Sequence, residues 1–128
     1  MVLGTGNVKK KAELQRLLAP YSEIQLTSLA DYPEALEVEE TGTTFSENAE
    51  LKATVQASHL NRWVLAEDSG ISVDALGGAP GVYSARFSGE QANDKSNNEL
   101  LLEKLTGVPQ AKRTAFYTCH MALSDPQG

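Results

Sequence analysis

Apolar and polar positions recur along this chain with two periods, near 3.6 and near 2, and the points where one gives way to the other mark its elements. Met1-Val2-Leu3 is a short apolar run stopping at Gly4-Thr5-Gly6-Asn7, which reads as a strand followed by a turn. From Val8 to Leu18 the residues Val8, Ala12, Leu14, Leu17 and Leu18 form a helical stripe, with Asn7 as N-cap and Pro20 beyond its end. Ile24, Leu26 and Ser28 alternate with polar neighbours and predict a second strand. Residues 31–42 are irregular and acidic, carrying Glu34, Glu37, Glu39 and Glu40. A helix is expected from Thr43 or Thr44 to about His59, because Phe45, Ala49, Ala53 and Ala57 recur at four-residue steps. Trp63-Val64-Leu65-Ala66 reads as a buried strand that ends on Glu67-Asp68. Asn93 or Asp94 caps a helix to about Leu105, with Leu101, Leu102 and Leu105 facing inward and Gly107 and Pro109 ending it. Residues 113–123 alternate as one long strand with both faces partly apolar. The order β-α-β-α-β-loop-α-β implies a single layered α/β domain over residues 1–128.

Composition narrows the function. The chain is 41% hydrophobic and 22% charged, ordinary for a globular domain of 128 residues. No apolar run approaches the roughly 18–20 residues of a membrane span, so no membrane partner is expected. Met1-Val2-Leu3 leads into a glycine turn without the basic segment of a signal peptide. Cys119 is the only cysteine, which excludes an intrachain disulfide and suits a reducing compartment; it is expected as a buried packing thiol. Two histidines and one cysteine are a poor donor set for zinc, whereas carboxylates suit Mg²⁺ or Mn²⁺. A formal net charge of −6 argues against a nucleic-acid partner, which needs a broad basic surface. It leaves room for one anionic small molecule held by locally grouped lysines and a metal ion.

Three stretches offer candidate chemistry. Gly4-Thr5-Gly6-Asn7-Val8-Lys9-Lys10 lies between a strand and a helix, where exposed N–H groups and the dipole favour anions. It is neither a Walker A loop nor a dinucleotide fingerprint, and an ordinary glycine turn with solvated lysines gives the same pattern. Around the second helix, Glu47 reads as a capping residue. Lys52 falls near the buried stripe and must either snorkel or meet an anion. Ala66-Glu67-Asp68-Ser69-Gly70, followed by Asp74-Ala75-Leu76-Gly77-Gly78-Ala79-Pro80-Gly81-Val82-Tyr83-Ser84-Ala85-Arg86, places two acids at a strand end beside unusual backbone. That reads as an active-site rim, since ligands of open α/β sheets bind at the carboxyl ends of strands. Adjacent strand residues face opposite ways, so only one acid can enter a given cleft directly; Asp68 with a second carboxylate such as Glu40 could hold Mg²⁺. A solvated strand terminus is the alternative. His59, His120, Trp63 and Tyr83 read as structural.

Taken together, Thr5-Gly6-Asn7-Val8-Lys9-Lys10, the segment from Glu39 to Ala53, and Glu67-Asp68-Ser69-Gly70 through Arg86 closely resemble the inosine triphosphate pyrophosphatase family, the Ham1-like nucleoside triphosphate pyrophosphatases. The resemblance runs over essentially the whole chain, with the motifs in the family's order. It implies the Maf/Ham1-like α/β fold with a central mixed sheet, in a cytoplasmic homodimer. It implies Mg²⁺-dependent hydrolysis of inosine, deoxyinosine and xanthosine triphosphates to monophosphate and pyrophosphate. By motif position, Thr5, Gly6, Asn7, Val8, Lys9 and Lys10 would cradle the triphosphate and Lys52 would contact phosphate. Glu40 and Asp68 would engage the metal, Asp68 would activate water, and Ser69 would touch substrate.

Two departures accompany the resemblance. Many bacterial relatives carry Asp-Asp-Ser-Gly where this chain has Glu67-Asp68-Ser69-Gly70. The family's C-terminal third, with a Gly-Phe-Gly-x-Asp-Pro loop, a lysine and a Ser-His-Arg motif that grip base and phosphates, has no counterpart here. A metal–nucleotide binder without turnover, or a structural relic, are the alternative readings.

Overall fold

The computed structural model describes residues 1–128. The chain divides into two compact units, one of Met1–Asp68 with His120–Gly128 and the other of Ser69–Cys119. The elements run β1 (Val2–Leu3), α1 (Val8–Leu18), β2 (Thr27–Ser28), α2 (Phe45–Leu60), β3 (Val64–Val73), α3 (Asp94–Lys104) and β4 (Ala115–Ser124), joined by short 3₁₀ turns. The element order is the one read from the sequence. The sheet order is β2-β1-β3-β4, a mixed sheet in which β1 runs parallel to both β2 and β3.

In the first unit the core forms where α2 covers the sheet. Val2, Ala57 and Val64 are fully buried together, with Leu29, Tyr32 and Leu60 packed against them. Ala49, Ala53 and Ala57 have no exposed surface, so the expected small-residue stripe is the face that lets the helix approach. Beside it runs a polar stripe at the same spacing: Asn48, Lys52 and Gln56. Gln56, 1% exposed, accepts from the Leu36 N–H at 3.2 Å and donates back to the Leu36 carbonyl. His59 Nε2 lies 2.7 Å from the Glu34 carbonyl oxygen. The irregular acidic segment is therefore fastened to α2 by its backbone.

Helix ends follow their caps. Thr44 accepts from the Glu47 N–H while the Glu47 carboxylate accepts from the Thr44 N–H, a capping box, and the Thr43 N–H and hydroxyl also donate to Glu47. Asn61 closes α2 in the left-handed conformation that asparagine tolerates. Asn93 caps α3 in the same manner as Thr44 caps α2.

In the second unit Asn97 joins α3 to the turn before it, accepting from the Ser88 N–H and donating to the carbonyls of Ser84 and Ala85. The Thr114 hydroxyl donates to Asp74 at 2.6 Å, next to the Asp74 N–H bond to the Thr114 carbonyl.

Several expectations are corrected. The second strand shrinks to Thr27–Ser28, and the chain before it is turned, with the Tyr21 N–H bonded to the Leu18 carbonyl and the Ile24 N–H to the Tyr21 carbonyl. No residue of α1 is buried, and Val8 and Leu17 are exposed: the stripe is apolar but only Leu14 and Leu18 are half-buried. Leu102 is exposed on α3, leaving Leu105 as the buried anchor. Cys119 is exposed on β4 and is not a packing thiol. The acids do not end a strand, because β3 continues through Ser69-Gly70 to Val73. Local turn propensity of Ser-Gly yields here to hydrogen bonding with the ten-residue β4.

The capping box carries a pH dependence. Bonds from the Thr43 N–H and hydroxyl, which outweigh an opposing desolvation and are joined by a lesser contribution from the Thr44 N–H, hold Glu47 below the ordinary glutamate value. A carboxyl depressed in the folded state stabilises it fully above the unfolded pKa, about 4.3, and loses that contribution as pH falls through the lower folded value. The stability difference between wild type and Glu47→Gln, followed by thermal melting, is therefore expected to be full at neutral pH and to shrink below about pH 4. A difference that stays constant into acid would show that the charge of Glu47 contributes nothing.

Candidate active site

The parallel pairing of β1 with β3 sets the site. Val2 lies opposite Val64 and Leu3 opposite Leu65, and the Gly4 N–H makes the last bond, to the Leu65 carbonyl. There β1 ends and the chain turns away toward α1. The next residues of β3, Ala66, Glu67 and Asp68, project past the carboxyl end of β1, the position at which open α/β sheets bind ligands. Gly4 suits this approach: a β-carbon there would stand a tight 3.0 Å from Ala66 Cβ and 3.2 Å from Val64 Cγ1, so its neighbours would have to give by a few tenths of an ångström.

Glu67 and Asp68 are nearly buried, at 9% and 6% exposure. Adjacent strand residues face opposite ways, and each acid meets a lysine from a different helix. Lys10, in the first turn of α1, pairs with Glu67. Lys52 of α2 lies 3.3 Å from Asp68 Oδ1 and 3.6 Å from Glu40 Oε1. Asn48, one turn before Lys52, donates to Asp68 Oδ2 over 3.5 Å and accepts the Gly42 N–H at 2.7 Å. Two groupings result: Glu40, Lys52, Asp68 and Asn48 in one, Lys10 and Glu67 in the other.

At the α1 N-terminus, the Thr5 hydroxyl accepts from the Asn7 N–H, and Asn7 Oδ1 accepts from the N–H groups of Lys9 and Lys10. Asn7 is thus the expected cap. Gly6, Asn7, Val8 and Lys9 are all exposed, and a β-carbon on Gly6 would meet nothing within 4 Å. Packing within the protein does not explain a glycine there; close approach of an outside group to the backbone would. Ser69 follows Asp68 on β3 and is half-buried.

Glu40 and Asp68 converge on a single ammonium, so the same point is open to two carboxylates. No group of three or more His, Cys, Asp or Glu side chains gathers as a metal site. A two-carboxylate donor set fits Mg²⁺, which keeps waters and takes its remaining oxygens from substrate phosphates.

The sequence reading named Lys10, Lys52, Glu40 and Asp68, but not Asn48, Gly42 or the pairing of Glu67 with Lys10. Asn48 did leave a signal, since a polar residue at the start of α2 stands in register with Lys52 and Gln56, beside the alanine stripe.

An α/β protein with lysine-paired acids past the end of a parallel strand is the class these features define. The chain belongs to the Ham1 family, whose model matches residues 1–128. It is 59% identical over its full length to a dITP/XTP pyrophosphatase of Rhodopirellula baltica, covering 61% of that protein. It is 52% identical to one of an Exiguobacterium species, again over the full chain and covering 64% of that protein. Its fold matches the Ham1 protein of Staphylococcus aureus with a TM-score of 0.82 at 37% identity, covering 99% of this chain and 64% of that one. A HAM1 protein from Coxiella burnetii matches with a TM-score of 0.86 at 37% identity, over 98% of this chain and 63% of that one. The chain thus spans a little under two thirds of the length of these relatives.

Lys52 and Asp68 have side chains 17% and 8% exposed, so removing the cation leaves a nearly buried carboxylate without that counter-charge. Lys52→Ala is expected to lower stability by about 3 kcal/mol or more in urea unfolding at neutral pH. Adding Asp68→Asn should return part of that loss. Additive losses would mean that the pair is not coupled.

Proposed function

We propose that this chain carries the acid and lysines of an enzyme that hydrolyses non-standard purine nucleoside triphosphates, such as inosine, deoxyinosine and xanthosine triphosphates, to the monophosphate and pyrophosphate. The observation that carries this reading is the convergence of Glu40 and Asp68 on Lys52, past the end of β1. The names of the relatives, dITP/XTP pyrophosphatases, support the substrate class.

In this reading a water oxygen attacks the α-phosphorus, the bond to the bridging oxygen breaks, and pyrophosphate leaves. Asp68 accepts the proton of the attacking water, which needs a carboxylate held at hydrogen-bond distance. Mg²⁺, held by Glu40 and Asp68, would supply charge neutralisation and a more acidic water when bound. Lys52 and Lys10 balance the charge of the triphosphate and of the departing pyrophosphate. Both ammonium groups pair with carboxylates, so phosphate oxygens must compete for them. The turn Thr5-Gly6-Asn7-Val8-Lys9 offers backbone to the phosphates, with Gly6 leaving the space open. Ser69 contacts substrate beside Asp68. The family resemblance supports a cytoplasmic homodimer as the working form; no helix of the chain is long and apolar enough to cross a membrane.

The test is pyrophosphate release by the full-length protein, with and without Mg²⁺. Asp68→Asn is expected to lower turnover of deoxyinosine triphosphate by at least the roughly 10²–10⁴-fold of a lost general base, and chelation should abolish it. Turnover within about threefold of wild type would overturn the role of Asp68.

Phosphate contacts carry no base information. Lys10→Ala and Lys52→Gln should therefore weaken deoxyinosine, xanthosine and adenosine triphosphates alike in equilibrium binding. A changed base preference with unchanged triphosphate affinity would remove the lysines from the phosphate site.

A further inference from the structure

Asn48 is a fully buried polar side chain whose two ends have different partners. Its amide orientation follows from the hydrogen bonds. The Gly42 N–H can only donate, and it lies 2.7 Å from one amide atom, which must be the oxygen. The nitrogen is then turned toward Asp68 Oδ2, 3.5 Å away. Asp68 Oδ1 is occupied separately by Lys52, 3.3 Å away. The two carboxylate oxygens thus have one partner each, and both partners stand one turn apart on α2. Gly42 leaves no room for a side chain: a β-carbon there would lie 2.6 Å from Asn48 Oδ1 and 2.7 Å from Glu47 Cβ.

We infer that Asn48 is a positioning residue, which sets the orientation of the Asp68 carboxylate from the Gly42 loop without touching substrate. This rests on the proposed role of Asp68 and adds a residue to it. A charged donor at position 48 would add to Lys52 as a counter-charge, whereas a neutral amide fixes the carboxylate plane and leaves its charge in place. A lone lysine permits the carboxylate to rotate; a second donor facing the other oxygen restrains it. Catalytic geometry must be held to within about 1 Å, a displacement that alone can cost about a hundredfold in rate. The long Asn48 bond acts in a buried setting, where a polar group has no water to replace its partner.

The experiment compares wild type, Asn48→Ala and Asn48→Asp in the full-length protein, by steady-state pyrophosphate release from deoxyinosine triphosphate with Mg²⁺. Asn48→Asp keeps the oxygen that accepts from Gly42 and loses the donor to Asp68. Both variants should lose at least about tenfold in kcat with KM within about threefold. Asn48→Asp also sets a second carboxylate beside Asp68, which raises the pH that Asp68 needs to ionise, so its kcat is read on the plateau of its pH profile; a wild-type plateau kcat would mean that Asn48 only braces the Gly42 loop, and the inference fails. It fails equally if KM rises at unchanged kcat.

A second measurement needs neither activity nor a position-48 variant. In wild type, the Asn48 side-chain NH₂ protons should exchange slowly with solvent by NMR and should shift in Asp68→Ala. Rapid exchange, or resonances indifferent to Asp68, would overturn the inference even if the kinetic variants do not fold. Should wild type hydrolyse deoxyinosine triphosphate and Asp68→Asn abolish it while both Asn48 variants keep kcat, the proposed function stands and only the role of Asn48 is lost. Should wild type be inactive while the NMR shift is seen, the reverse holds.

Discussion

Two carboxylates on consecutive residues of one nearly buried strand are the constraint around which the first unit is built. Glu67 and Asp68 cannot share a counter-charge, because the pleat sends them to opposite faces of β3. Burial of either without a partner would be costly. The chain therefore brings one lysine from each of two helices, Lys10 from the first turn of α1 and Lys52 from the middle of α2. The close approach of β1 to β3 fixes where the acids stand. Gly4 allows that approach, and the alanine stripe of α2 brings Lys52 within reach.

The same groups serve the fold and the proposed chemistry, and the two uses pull in different directions. A lysine that neutralises a buried acid stabilises the chain; a lysine that holds phosphate must be able to leave that acid. Lys52 is shared between Glu40 and Asp68, while Lys10 pairs with Glu67.

Much of this was legible in the sequence because it rested on local rules. The four-residue alanine step, the Asn7 cap, the helix starts at Thr43 or Thr44 and at Asn93 or Asp94, and the position of Gly107 each locate an element by chemistry confined to a few residues. The errors share a different cause. Ser69-Gly70 reads as a turn until β4 is placed beside it, and the exposure of Cys119, Leu102 and Val8 depends on what covers each face. Amphipathic period identifies an apolar stripe without saying that anything packs on it. In the site, lysines and acids were visible as charges out of place, but their pairing was not. Asn48 was hidden for another reason: its importance lies in which way an amide points, and that is set by a backbone N–H of a loop six residues earlier.

The fastening of the acidic segment to α2 gives Glu40 a mechanical character. Leu36 is held at both its N–H and its carbonyl by Gln56, and Gly42 is held by Asn48. Both anchors are on a single rigid helix, eight residues and so about 12 Å apart along its axis. The five residues between them form a short span fixed at each end, too short to fold away and able only to bow. Glu40 sits near one support, where the amplitude of such bowing is least. Its carboxylate is thus carried on a span anchored at both ends to one helix rather than on a free loop.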